Sequence, residues 1–317
     1  MRRKGSALAG MSTIAWKEAA DHFSSARFHF VMLLVLLTAF GSVYGAIGQI
    51  KNTIGQDPFL FLRLLTTAKD PVPSFVAFLG FLLPLVSIAL AFDSVNGEYS
   101  RRTMSRILAQ PIYRDALLFG KFLGGMIVLA LCLLTLWLLM TGLGILTLGL
   151  PPSGPEIARG LAFLVACLAY AGVWLALALL FSTIFRQAAT SALAALALWL
   201  VFAIFWGMIA HALTIALAPI DPTNPMTLVN AVEMQSALAR ISPNTLFSET
   251  AQALLSPQTR SLGLVFMDQM EGAIPGAPLP FAQSALLIWP QLSGMVAAML
   301  LIFTGAYVTF QRQEVRA

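Results

Sequence analysis

FVAFLGFLLPLVSIALAF (75–92), DSVNGEYSRRTMSRILAQPIYRDALLFGKF (93–122) and LGGMIVLALCLLTLWLLMT (123–141) follow one another in the chain, and their reading decides the fold. Two apolar runs flank a connecting segment that holds Asp93, Glu98, Arg101, Arg102, Arg106, Arg114 and Lys121. Crossing a hydrocarbon core as a helix takes roughly 20 mainly apolar residues. Strands of this length and apolarity would leave open edges unpaired in lipid. Each run therefore reads as a membrane-spanning helix and the segment between them as a loop at one membrane surface.

Working outward, the same pattern recurs, and spans are expected at about 28–50, 75–92, 116–141, 157–182, 188–217 and 284–310. The expected fold class is an all-α membrane protein, with residues 1–317 forming a single transmembrane domain. Composition agrees: 58% of the 317 residues are apolar and only 10% charged, with a mean hydropathy of +0.83. Too little charge remains to dissolve a domain of this size in water. The formal charge of +5 does not point to nucleic acid, because the basic residues gather at span ends instead of forming one aromatic-laced patch.

Orientation follows from Lys and Arg. With both ends inside, cytoplasmic segments hold Arg2, Arg3, Lys4, Lys17, Arg27, Arg101, Arg102, Arg106, Arg114, Lys121, Arg186, Arg312 and Arg316, which is 13 of the 19. The outer segments hold Lys51, Arg63, Lys69, Arg159, Arg240 and Arg260. The expected location is the inner (cytoplasmic) membrane, with both termini cytoplasmic. Arg2, Arg3 and Lys4 resemble the start of a signal peptide, but no short apolar core follows, so they read as retained cytoplasmic sequence.

Residues 11–26 (MSTIAWKEAADHFSSA) place Ile14 and Ala15, Glu18 and Ala19, and His22 and Phe23 at helical spacing. With Trp16 as an anchor and Lys17 beside it, the segment reads as an amphipathic helix in the headgroup layer. Residues 218–283 form a long outer loop punctuated by prolines. Two short helices are expected there, Thr227–Arg240 and Pro243–Leu255, the second with Ser242 as cap and Pro243 at its first position, together forming a small external cap.

Cys132 and Cys167 lie inside apolar runs and read as packing residues, and no Cys or His pair has metal-ligand spacing. His22, His29 and His211 are scattered, without a nucleophile and base. Gly120-Lys121 is not a phosphate loop, since Phe122 replaces the required Ser or Thr and Asp115 stands where the first glycine belongs. No catalytic residue and no cofactor is expected in this chain. Charged residues fall near span boundaries, which disfavours an ion relay and hints at apolar or amphipathic cargo. Gly41 and Gly45, and Gly120 and Gly124, have the spacing that lets helices approach closely, within one subunit or between two.

The loop segment presents Glu98, Thr103, Met104, Leu108, Pro111, Arg114, Gly120 and Lys121 in that order. In this it resembles the six-span permeases of ABC-2 type exporters, with Arg102 standing where glycine is common. Ala15-Trp16-Lys17-Glu18 followed by Arg27-Phe28, Ser242-Pro243-Asn244 with Leu254-Leu255, and the ending Phe310-Gln311-Arg312-Gln313-Glu314-Val315-Arg316 are similar to the permeases of nitrous-oxide-reductase maturation and gliding motility. The resemblance implies a dimer, with a second copy or a paralogue, that works with two cytoplasmic ABC ATPase subunits, which would bind ATP and Mg. It also implies a coupling helix in the loop, read here as a helical run from Tyr99 to Ala109, with the N-terminal helix adding to the contact. Carried over, Tyr99, Arg101, Arg102, Thr103 and Arg106 would touch the ATPase, while Glu98, Arg114 and Lys121 would hold the loop to the bundle. Pro111 would break the run before the chain re-enters the membrane. Each arginine equally fits a solvated basic loop. An ion-gradient-driven secondary transporter and an ATP-linked assembly factor without cargo are the alternative functions.

Overall fold

The structure is a computed structural model that describes residues 10–50, 58–69, 72–104, 109, 113–219, 221, 223–262 and 278–313. Arg106 and Pro111, with Arg2, Arg3, Lys4, Ile107, Leu108 and the ending 314–316, lie outside the described residues. Nearly everything described is helical: α1 (Met11–Ser24), α2 (Ala26–Ile50), α3 (Leu60–Thr66), α4 (Phe75–Ala91), α5 (Asn96–Ser100), α6 (Arg114–Leu148) and α7 (Gly154–Ile184). After them come α8 (Ala188–Leu200), joined by a π turn (Val201–Phe205) to α9 (Trp206–Leu217), then α10 (Pro225–Ala239), α11 (Pro243–Leu255) and α12 (Phe281–Arg312). Among the described residues, six helical stretches are long and apolar enough to cross a membrane: α2, the stretch Phe75–Ser100 that holds α4 and α5, α6, α7, α8 with α9, and α12. The chain is a multi-pass membrane protein.

Hydrogen bonds sort the ends of these helices onto two faces. On one face, Arg27 at the start of α2 meets Asp93 just past α4 at 2.8 Å. There the backbone N–H groups of Val95 and Asn96 donate to Ser182 Oγ near the end of α7 at 2.9 and 3.3 Å. Arg114, opening α6, donates to the carbonyls of Phe310 and Gln313 at the end of α12, at 2.8 and 2.9 Å. The described beginning and end of the chain thus share this face, as an even number of crossings requires.

The opposite face is closed by a cap. Ser153 and Glu156 form a capping box at the start of α7, and the other Glu156 oxygen accepts from Phe61 N on α3 at 2.8 Å. α3 was not anticipated from the sequence, where Arg63 reads as a loop charge; it buries Leu60, Phe61, Leu62, Leu64 and Leu65. α10 and α11 follow the expected positions. Asn224 caps α10 by accepting from Met226 N, and Ser242 caps α11 by accepting from Asn244 N. α11 is more than a surface loop element: Phe247, Ala251, Ala253, Leu254 and Leu255 are all buried.

Arg159 in α7 is the latch of the cap, only 1% exposed. It donates to the carbonyl of Leu254 at 2.9 Å and lies 3.5 Å from that of Ala253. It also donates to Leu279 O at 2.6 Å and to Ser284 Oγ at 3.1 Å. The last carbonyls of a helix have no partner within it and carry the negative end of its dipole, so a buried guanidinium there is both hydrogen-bonded and favourably placed. Replacing Arg159 by Leu strands these carbonyls at a cost of about 3 kcal/mol, since each unmet buried acceptor costs roughly 1–3 kcal/mol. The expected result is a lower apparent Tm of the purified protein; an unchanged Tm would show that the latch is dispensable.

Candidate functional site

The site is built where α1 lies across the start of α6. α1 buries Ile14, Ala15, Glu18 and Ala19 along one stripe and leaves Trp16 64% exposed. The stripe fits because Gly120 and Gly124 on α6 have no side chains. A Cβ on Gly120 would stand 2.7 Å from Ile14 Cβ, and one on Gly124 2.8 Å from Glu18 Cβ and 2.9 Å from the Ala15 carbonyl. This pair of glycines therefore serves packing inside one subunit. Gly41, where a Cβ would have nothing within 4 Å, does not share that role.

This close approach brings two acidic residues to Lys121. Its ammonium lies 3.0 Å from Glu18 Oε1 and 3.6 Å from Glu98 Oε1. Lys121 is 6% and Glu18 8% exposed. Burial alone would raise the Glu18 carboxyl above the ordinary glutamate value, but the charge and hydrogen bond of Lys121, aided by Lys17 and His22, hold it below. Lys17 bridges to Glu18 at 3.4 Å and to Asp21 at 2.7 Å on the exposed side of α1.

Glu98 also orders the loop. Thr103 Oγ1 donates to the Glu98 carboxylate and, at 3.2 Å, to its backbone carbonyl. Thr103 N donates to Glu98 O at 3.0 Å and Arg102 N to Tyr99 O at 3.1 Å. These two bonds form a Schellman ending, and Arg102 occupies its left-handed position with φ 56°. The expected single helical run from Tyr99 to Ala109 is therefore corrected at its start: α5 ends at Ser100 and the backbone reverses hand at Arg102, while residues 105–108 of that run lie outside the described residues. A β-carbon disfavours the left-handed conformation, so glycine would sit at position 102 with less strain than arginine.

The other expected site residues fall around this knot. Arg101 and Arg102 are exposed and Tyr99 is half-buried. Arg114 lies over the Phe310 ring at 5.1 Å and so ties α6 to α12. A polar cavity of about 430 Å³ opens among Glu18, His22, Arg27, Asp93, Glu98 and Lys121. Beside it a recess of about 1030 Å³ is lined by Tyr99, Asn96, Ser182, Thr183, Arg186 and Gln313. Sequence reading missed Asn96 and Ser182, whose hydrogen bonds fix the loop to α7. Ser182, a polar residue closing an apolar run, was the available signal for one; Asn96 gave none. Glu18 was read as interfacial and is instead a counter-ion of Lys121.

The sequence profile of the ABC-2 family transporter proteins matches residues 12–315. Among curated relatives, "Probable ABC transporter permease protein NosY" of Pseudomonas aeruginosa is 29% identical over 246 residues, covering 72% of this chain and 83% of the relative. The protein of the same name from Stutzerimonas stutzeri is 28% identical over 207 residues, covering 64% and 70%.

Two substitutions probe the knot. Lys121→Met leaves Glu18 buried without its main counter-charge and is expected to cost about 3–5 kcal/mol; the double variant Lys121→Met with Glu18→Leu is expected to regain most of this, because a buried pair replaced by apolar groups is often neutral. Thermal unfolding of the single and double variants reads the difference, and equal losses would deny the pairing. Arg102→Gly relieves the left-handed strain and should raise stability by about 0.5–1 kcal/mol; a fall in Tm would contradict the assigned backbone.

Proposed function

The chain belongs to the ABC-2 family of transporter proteins, and from that premise we propose that it is the membrane-spanning permease subunit of an ATP-driven exporter. A separate cytoplasmic ABC ATPase binds ATP and Mg and hydrolyses the nucleotide. The face that carries α1, α5 and the end of α12 is the cytoplasmic one, as the Lys and Arg distribution argues. Two permease copies, or a copy and a paralogue, form the transmembrane unit in the inner membrane. The exposed apolar side chains of α8, the π turn and α9, among them Leu193, Ile204, Met208 and Ile215, face lipid or the second copy.

The observation that carries this reading is the Lys121 knot. An ATPase resting against Arg101, Arg102 and Tyr99, in the recess beside α5, would push on a short helix that cannot yield alone. α5 is bonded through Glu98 to Lys121 and through Val95 and Asn96 to Ser182, so the push reaches α6, α1 and α7 together. Arg106 and Pro111 belong to the same proposed coupling element. Cargo of apolar or amphipathic character fits spans whose described Asp, Glu, Lys and Arg residues stand near their ends.

The direct test is affinity purification from the native membrane in mild detergent. The expected result is co-purification of a nucleotide-binding subunit whose ATPase rate changes several-fold on Arg101→Ala with Arg102→Ala, while the double variant stays folded. Recovery without any such subunit, or transport that survives ATP depletion and collapses with the ion gradient, would overturn the proposal.

A further inference from the structure

A second cavity, of about 450 Å³, lies between α4, α7, the π turn and α11, away from the Lys121 face. Its size is that of a small-molecule site. Three rings form its apolar wall: Phe81 and Trp199, packed edge to face at 5.0 Å, and Phe247, itself stacked on Tyr170 at 4.5 Å. Ser248 and Gln252 of α11 supply hydroxyl and amide groups, and among the described residues no Asp, Glu, Lys, Arg or His lines the space.

That lining discriminates among ligands. A charged headgroup would lose its water and meet no counter-charge, at heavy cost; a metal ion would find no carboxylate, imidazole or thiolate. An uncharged molecule with an apolar body and a hydroxyl or amide head loses nothing comparable. The wall is also held in place. The Tyr170 hydroxyl lies 2.9 Å from Gly80 O and 2.7 Å from Asn244 Oδ1, so α4, α7 and α11 are bonded around the cavity. Ala203, another lining residue, belongs to the π turn, a feature often found at functional sites. The neighbouring Phe202 carbonyl accepts from the Ser242 hydroxyl at 3.2 Å, which ties the turn to α11.

We propose that this cavity binds one uncharged amphipathic molecule, its apolar body against Phe81, Trp199 and Phe247 and its head toward Ser248 and Gln252. The site lies within a single subunit and needs neither ATPase nor nucleotide. Its test is therefore separate from that of the ATP-driven reading, which stands or falls on its own.

The full-length protein in phosphatidylcholine nanodiscs is irradiated with 3-azioctanol, an uncharged photolabel, and the adducts are mapped by mass spectrometry. Adducts are expected to concentrate on residues 76–81 and 244–252, to fall at least ten-fold with excess octanol, and to persist with equal octyl sulfate. Ala77→Trp, which fills the open side of the cavity, should lower them ten-fold, whereas Ala216→Trp on the exposed surface of α9 should not. Ser248→Trp serves the same purpose if Ala77→Trp does not fold, as judged by elution and thermal unfolding. Solvent extraction separates the two sources of such a ligand. An uncharged lipid retained by the wild type and lost from the filled variant marks a membrane lipid, and labelling without retained lipid marks a diffusible molecule. Adducts spread evenly over the exposed helices, undiminished labelling in the filled variant, or equal competition by octyl sulfate would overturn the proposal.

Discussion

A charge cannot stay alone in an apolar medium, and the consequences of that rule run through this structure. Lys121 stands in the second turn of α6, buried, and an isolated ammonium there would carry a desolvation penalty of several kcal/mol. Glu18 and Glu98 relieve it from two other segments of the chain. α1, the loop after α4 and the start of α6 are consequently one unit, because separating any of them leaves a buried ion unmatched. The glycine pair at 120 and 124 makes the geometry possible by letting α1 come within backbone contact.

α7 extends that unit across the membrane. It is the most buried of the candidate spans, with 78% of its apolar window inside the fold. Near one end Ser182 accepts from the loop; midway Tyr170 touches α4 and α11; near the other end Arg159 grips the last turn of α11 and the first of α12. The loop on one face and the cap on the other thus hang on a single helix. Interiors packed this closely resist compression and transmit strain, so neither attachment can shift far without loading α7.

Much of this was legible in the sequence, for a physical reason. Length and apolarity suffice to mark a membrane helix, so the fifth span keeps its expected bounds of 188–217. The third overran its expected end at residue 141 and continues to Leu148. In that added stretch the Phe61 side chain packs so closely on Gly144 that a Cβ there would meet it at 2.6 Å. α3 escaped notice because seven residues give too short a pattern to distinguish a buried helix from a loop. The Lys121 knot was half visible: Lys121 and Glu98 belong to the loop motif, but Glu18 is 103 residues from Lys121, and no local pattern reports a contact across that distance. Arg102 shows the reverse case, since its departure from glycine flagged a special backbone position without revealing its hand.

The placement of charge bears on how such a fold can be driven. An ion-coupled carrier needs ionisable groups at depth, where an ion can be taken up from one side and released to the other. Among the described residues the buried charges divide between the two faces, with Glu18 and Lys121, joined by the half-buried Glu98, at one and Glu156 and Arg159 at the other. The middle of α7 instead offers Tyr170 and Trp174, both buried among aromatic neighbours. Groups so placed fasten helix ends. What they fasten is a surface loop to a rigid helix and that helix to a cap, an arrangement suited to carrying a mechanical displacement from one side of the membrane to the other.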